Sequence, residues 1–178
     1  VVAVLTHRGV TAEAAGEVIK LDEFGSRGRA PQAVATTEAD RKIKIDELRA
    51  TGNTPIKIQQ AEDRAITIPQ LQALLAYIVR HCTSQRWTSV DPRVRGRVLE
   101  PEAIDIYDVV HWVVKPATRA DCCSYVELVA SAKQVARWFV SHRWGEPMQL
   151  LLQCLLRHRL DRGLSESFAY WVRAFANN

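Results

Sequence analysis

Arg137-Trp-Phe-Val-Ser-His-Arg-Trp-Gly-Glu-Pro147, followed by Phe168-Ala-Tyr-Trp-Val-Arg-Ala-Phe-Ala-Asn-Asn178, decides the fold class. Residues 137–141 are an apolar and aromatic run between polar turns, the composition of a buried strand. Gly145 permits a sharp turn, and Pro147 suits the first turn of a helix. Leu150, Leu151, Cys154, Leu155 and His158 recur at helical spacing and predict one amphipathic face. Arg157, Arg159 and Arg162 fall near the end of that helix, where they complement its dipole, and Gly163 suits the residue that closes it. Residues 168–175 then read as a second strand. Strand, helix and strand within about 40 residues make a βαβ unit with parallel pairing.

Upstream, residues 66–132 predict a small helical layer. Thr67 caps a first helix with Pro69 in its opening turn and Leu71, Leu74, Leu75, Ile78, Val79 and Cys82 along one face. Residues 86–97, with Pro92 and Gly96, read as a loop whose Arg93–Arg97 cluster is solvated. Asp105 caps a second helix with Ile106, Val109, Val110, Val113 and Val114 on its apolar side, stopped by Pro116. Asp121 caps a third that carries Tyr125, Leu128 and Val129. Residues 1–60 form an irregular arm. It holds a short strand at 1–5, a helix over 11–20, a loop at 24–31 and a helix from Thr37 to about residue 50. The domain reading is therefore an arm over 1–60, a helical layer over 66–132 and a βαβ segment over 137–178.

Composition narrows the function classes. Lys plus Arg number 24 against 20 Asp plus Glu. Residues 131–178 carry 7 basic and 3 acidic groups, so the excess of +4 sits in the last quarter. No basic run and no aromatic-interleaved basic stripe is present, which disfavours nucleic acid as a partner. No apolar window is long enough for a transmembrane helix. Val1-Val-Ala-Val-Leu5 is too short for a signal sequence and lacks a basic flank, while the start at Val1 leaves a removed targeting peptide open. Cys82, Cys122, Cys123 and Cys154 form no disulfide framework and no C-x-x-C spacing, so reduced thiols in an intracellular compartment are expected. Cys82, Cys122 and Cys123 with His81 and His111 match no metal-ligand spacing, and no metal is expected.

Ligands of open α/β sheets bind beyond the C-terminal ends of the strands. Ser141, His142, Arg143, Trp144, Gly145 and Glu146 follow the first strand, and Asn177 and Asn178 follow the second. They would gather a hydroxyl, an imidazole, a guanidinium, a carboxylate and two amides at one crevice. The amides of the helix beginning at Pro147 would favour an anion there, such as a phosphate. The same residues also have purely structural roles open to them. Ser141 can turn the chain, His142 can hydrogen-bond within the turn, Trp144 can pack on the helix and Glu146 can cap it. A Ser141, His142, Asp161 triad is not expected, because adjacent residues at a strand end point to opposite faces.

These stretches resemble a group of protist proteins abundant in dinoflagellate algae. Their pattern is W-F-V-S-H-W-W-G-E-P, a helix, then Y-W-[IV]-C-A-[FY]-A-N-N-Q. Ile106-Tyr-Asp108, Lys115-Pro-Ala-Thr118 and Cys123-Ser-Tyr-Val-Glu-Leu-Val129 extend the resemblance over residues 66–178. Arg143 and Arg173 stand where that pattern has Trp and Cys. More distantly, Ser141-His-Arg-Trp-Gly145 and the aromatic strand ending in Asn-Asn are similar to the HET domain, and the layout is similar to TIR domains. The resemblance implies a partial flavodoxin-like (TIR/HET-like) α/β fold and, for some relatives, nucleotide binding or NAD cleavage. The later strands, and the helix that carries the TIR family's catalytic glutamate, have no counterpart up to Asn178. A two-stranded sheet would leave an edge for residues 1–60 or a partner chain to cover.

Two functions follow as expectations. The first is a non-catalytic interaction or structural subunit of a larger protein assembly, without cofactor, whose partners are other protein chains. The alternative is a signalling domain that binds a nucleotide or processes NAD at the Ser141–Glu146 and Asn177 crevice. The expected setting is cytoplasmic or organellar, with a chloroplast open if the source is a photosynthetic protist.

Overall fold

The computed structural model describes residues 46–48 and 54–177, and the backbone alone of residues 3–6. The helix expected over 11–20, the loop at 24–31 and most of the helix over 37–50 lie outside the described residues, as does Asn178. Four strands form one mixed sheet: β1 (Ala3–Thr6), β2 (Ile66–Thr67), β3 (Trp138–Ser141) and β4 (Ala169–Val172), in the order β1-β3-β4-β2. The central pair, β3 and β4, is parallel, with Val140 opposite Val172. The crossover between them is α5 (Met148–Asp161), so the expected βαβ unit is present. Both edges of that pair are covered by antiparallel strands, β1 against β3 with Ala3 opposite Ser141, and β2 against β4 with Ile66 opposite Tyr170. Of the two covers expected for a free edge, residues 1–60 or a partner chain, the first is present as β1 on the β3 side, while β2 covers the β4 side.

The remaining helices are α1 (Ile68–His81), α2 (Ile106–Val109), α3 (Lys115–Thr118), α4 (Tyr125–Val129) and α6 (Arg173–Ala176). Thr67 opens α1 with a full capping box, its side chain accepting from the Gln70 amide while Gln70 accepts from the Thr67 amide. Leu71, Leu74, Tyr77 and Ile78 form the buried face of α1, and Cys82 just beyond it is buried too. Val79, expected on that face, is 51 % exposed. It follows Ile78 directly in sequence, about 100° around the helix, which carries it off the buried stripe.

Three further expectations are corrected. Pro116 does not stop the second helix. A π-helical turn over Val110–Val114 widens the backbone ahead of it, and Pro116 falls in the opening turn of α3, where its missing N–H leaves no orphan. The cap of α4 is Ser124, with Glu127 completing a capping box, while Asp121 precedes a turn in which Cys122 has φ +47°. Residues 168–175 are not one strand. The strand ends at Val172, and α6 follows because Ala174, Phe175 and Ala176 are all buried, which a period-two strand cannot achieve on one face.

Helix α5 lies on one face of the sheet, its His158 ring 4.5 Å from Trp138 and hydrogen-bonded to the Tyr170 hydroxyl. Its buried residues are Met148, Leu151, Leu152 and Leu155, while Leu150, expected inside, is 47 % exposed. Gly163 closes the helix at φ +60°, as expected. Buried side chains from Ile58 through Phe175 join one continuous core, so the helical layer and the βαβ segment are packed as one body. No helix among the described residues is long and apolar enough to cross a membrane.

Candidate functional site

Ser141 ends β3 and is exposed. His142 follows, and neither of its ring nitrogens has a hydrogen-bond partner among the described residues although both are buried. Burial pushes the imidazole below its ordinary pKa, against the pull of the Glu146 carboxylate. His142 is therefore neutral near pH 7. The Glu146 amide donates to the Arg143 carbonyl and closes the turn. Arg143 itself is exposed.

The rest of the turn is tied down from one side. The Trp144 ring lies 5.3 Å from Tyr107, and the Trp144 carbonyl accepts from the Ile106 amide. Pro147 bridges Asp105, and the Met148 amide donates to the Ile104 carbonyl at 2.8 Å. The first amide of α5 thus faces residues 104–106 rather than an open crevice. The Gly145 carbonyl accepts from Nη2 of Arg93 at 2.7 Å. A Cβ there would sit 2.6 Å from Cζ of Arg93, so any larger residue would displace the guanidinium from this contact.

Arg93, expected in a solvated arginine cluster, instead pairs with buried carboxylates in a cluster that the sequence did not single out. Its Nε donates to Asp91 at 2.9 Å, and its Nη2 lies 4.0 Å from Asp105. Asp91, Asp105 and Asp108 are 2 %, 4 % and 1 % exposed. Asp108 accepts from the Ser89 hydroxyl and the Val90 amide, and Asp105 caps α2 through the Asp108 amide. Hydrogen bonding to Arg93 holds Asp91 down at about 2. Burial pushes Asp105 up to about 6, and Asp108 is raised by burial as well. Of the two, Asp105 therefore gives up its proton at the higher pH. The available signal was Ser89-Val-Asp-Pro-Arg93, in which the Asp91 carboxylate accepts its own Arg93 amide as an Asx turn.

Asn177 stands apart from the turn. Helix α6 carries the chain toward α4, where Phe175 meets Tyr125 and Arg64 donates to the Ala176 carbonyl. The Asn177 amide donates to the Arg173 carbonyl, and no hydrogen bond among the described residues joins Asn177 to residues 141–146. Arg64 in turn donates to the Ile58 carbonyl and lies 3.6 Å from Glu127. The second expected lip of the crevice is thus bound into a different network.

Two of the thiols, Cys82 and Cys154, are poorly suited to nucleophilic work. Burial pushes Cys82 up to about 12, and Cys154 is raised by burial and by Glu146. Asp161 pairs with Arg157 at the far end of α5, about 21 Å along the axis from the turn by helical rise, out of reach of His142. No group of three potential metal ligands is found among the described residues.

A second surface lies on the sheet. Phe139 and Trp171 project from β3 and β4 to the face opposite Val140 and Val172, and their rings stack at 4.7 Å. Phe139 is 44 % exposed, while Trp171 is anchored by its indole N–H to the Ala61 carbonyl. No family model, no curated protein and no solved structure matches the chain.

Proposed function

We propose that the chain is a non-catalytic interaction or structural module of a larger protein assembly. The observation that carries this reading is the stacked Phe139–Trp171 pair on the outer face of the sheet. An aromatic pair of which Phe139 is exposed and Trp171 half-buried is a costly surface to leave in water and a productive one to bury against another protein. Trp171 is already fixed by Ala61, so little side-chain entropy would be lost on docking. The raised thiols of Cys82 and Cys154 and the distant Asp161 support this reading. On this reading the sheet is a TIR/HET-like, flavodoxin-like framework, related to the dinoflagellate-type proteins, put to scaffolding use in the cytoplasm or an organelle. The native mass of the chain isolated from its source tests it. A particle heavier than its own polypeptide is expected, and a monomer would refute it.

A nucleotide-binding reading is favoured by one observation, the two buried ring nitrogens of His142 that lack partners among the described residues. Calorimetric titration of the purified chain with NAD and with ATP separates the two. Heat of binding abolished by His142→Ala supports the nucleotide site, and no heat with either ligand sinks it.

A further inference from the structure

The loop after α5 and the segment ahead of β3 enclose a surface groove of about 370 Å3. It lies at the N-terminal ends of β3 and β4, the opposite end of the parallel pair from the 141–147 turn. The segment contributes Lys133, Gln134 and Arg137, and the loop contributes Ser165, Ser167 and Phe168. The Phe168 amide donates to the Ser165 carbonyl at 3.1 Å and closes a turn whose two serine hydroxyls lie 3.0 Å apart. Residues 165–167 are all exposed. Arg162 stands three residues before Ser165 and is exposed too, its guanidinium 5.8 Å from the Trp138 ring centre. We propose that Ser165 is a phosphorylation site, gripped by an arginine-directed serine kinase through Arg162, and that Arg137 and Lys133 receive the phosphate across the groove.

Charge decides which serine and which cation take part. A guanidinium three residues before a hydroxyl gives a kinase a fork to hold with carboxylates of its own cleft. Ser165 has Arg162 at that distance, whereas Ser167 has Leu164. The γ-phosphoryl group of ATP passes to Oγ of Ser165, the hydroxyl proton is lost, and ADP leaves. A dianion in place of the hydroxyl then needs cations, and no carboxylate lines the groove. Glu166, between the two serines, is drawn off to Arg159 at 3.3 Å. Lys133 is shared with Asp63 at 3.3 Å. Arg137 is exposed, and no ion pair among the described residues engages it, so it is the first receptor for the phosphate. Phosphorylation would thus fasten the loop after α5 to the segment ahead of β3.

Incubation of the folded full chain with magnesium ATP and an arginine-directed serine kinase tests the site, with the phosphate placed by mass spectrometry of peptides. One phosphate is expected, on Ser165, absent from Ser165→Ala and slowed about ten-fold or more in Arg162→Ala, which loses the charge-assisted grip. No phosphate on Ser165, phosphate on Ser167 instead, or an unchanged rate in Arg162→Ala would overturn the site. Phosphorus NMR of the phosphorylated chain tests the receptor. The second ionisation of a solvated phosphoserine lies at about 6, and cations across the groove should lower it by about 0.5, an effect that Arg137→Ala should largely remove. A phosphate that titrates at the same pH with and without Arg137 would overturn its reception in the groove.

Discussion

Replacing Glu127 with glutamine removes one of two oxygens on which three segments converge. Oε1 accepts the Ile58 amide at 2.8 Å, and Oε2 accepts the Ser124 amide at 2.7 Å. Arg64 stands 3.6 Å from Oε1 and also donates to the carbonyls of Ile58 and Ala176. Glutamine keeps the size but offers one oxygen, so one of the two buried amides must face an NH2 group. An unsatisfied buried donor costs about 1–3 kcal/mol. A central loss of about 2 kcal/mol lowers the melting midpoint of a chain this long by about 4–8 °C. Burial alone would raise the Glu127 pKa, but the amide bonds from Ser124 and Ile58 overcome it and hold the group below its ordinary value. A depressed carboxylate contributes stability that is full above its ordinary pKa and is lost as pH falls through the folded value. The penalty of Glu127→Gln should therefore be complete at pH 7 and shrink in acid. Thermal denaturation followed by circular dichroism across pH measures both. An unchanged midpoint at pH 7, or a penalty that grows toward low pH, would refute the reasoning.

Other outcomes follow from the same geometry. Gly145→Ala should lower the melting midpoint by forcing Arg93 away from the turn, and in an Arg93→Ala background the same change should cost markedly less; additive effects in the double-mutant cycle would contradict the contact. Leu155→Ala should cost about 2–5 kcal/mol in denaturant unfolding, whereas Leu150→Ala on the exposed side of α5 should cost about 0.5 kcal/mol or less, separating the observed face from the expected one. The His142 imidazole should titrate below its ordinary 6.5 in NMR, so its contribution to stability is full above that pH and falls as pH drops below it; a midpoint above 6.5 would contradict its burial.

The βαβ unit was legible because its signals are local and agree with one another. The aromatic run of β3, Gly163 at the helix end and the cap at Thr67 each specify an element without help from distant residues. Tertiary context decided the rest. Pro116 reads as a stop by its own chemistry, yet the π-helical turn before it absorbs the missing amide. Residues 173–176 look like strand by composition, but the meeting of Phe175 with Tyr125 coils them into α6. That coil also draws Asn177 toward Arg64 and away from the turn it was expected to join. The Ser141–Glu146 half of the site was visible as a polar turn after a strand. Its anchor was not, because Arg93 lies 52 residues before Gly145, and spacing alone cannot report such a contact.

Assembly through the outer face of the sheet is tested most directly by Phe139→Glu. The side chain is 44 % exposed but stacks on Trp171, so the substitution should lower the melting midpoint by about 2–6 °C while leaving the chain folded. Native mass measurement of the two proteins from the source cell should show the wild-type chain in a particle heavier than its own polypeptide, and the variant released from it. A folded variant that remains in the same particle would contradict assembly through Phe139 and Trp171.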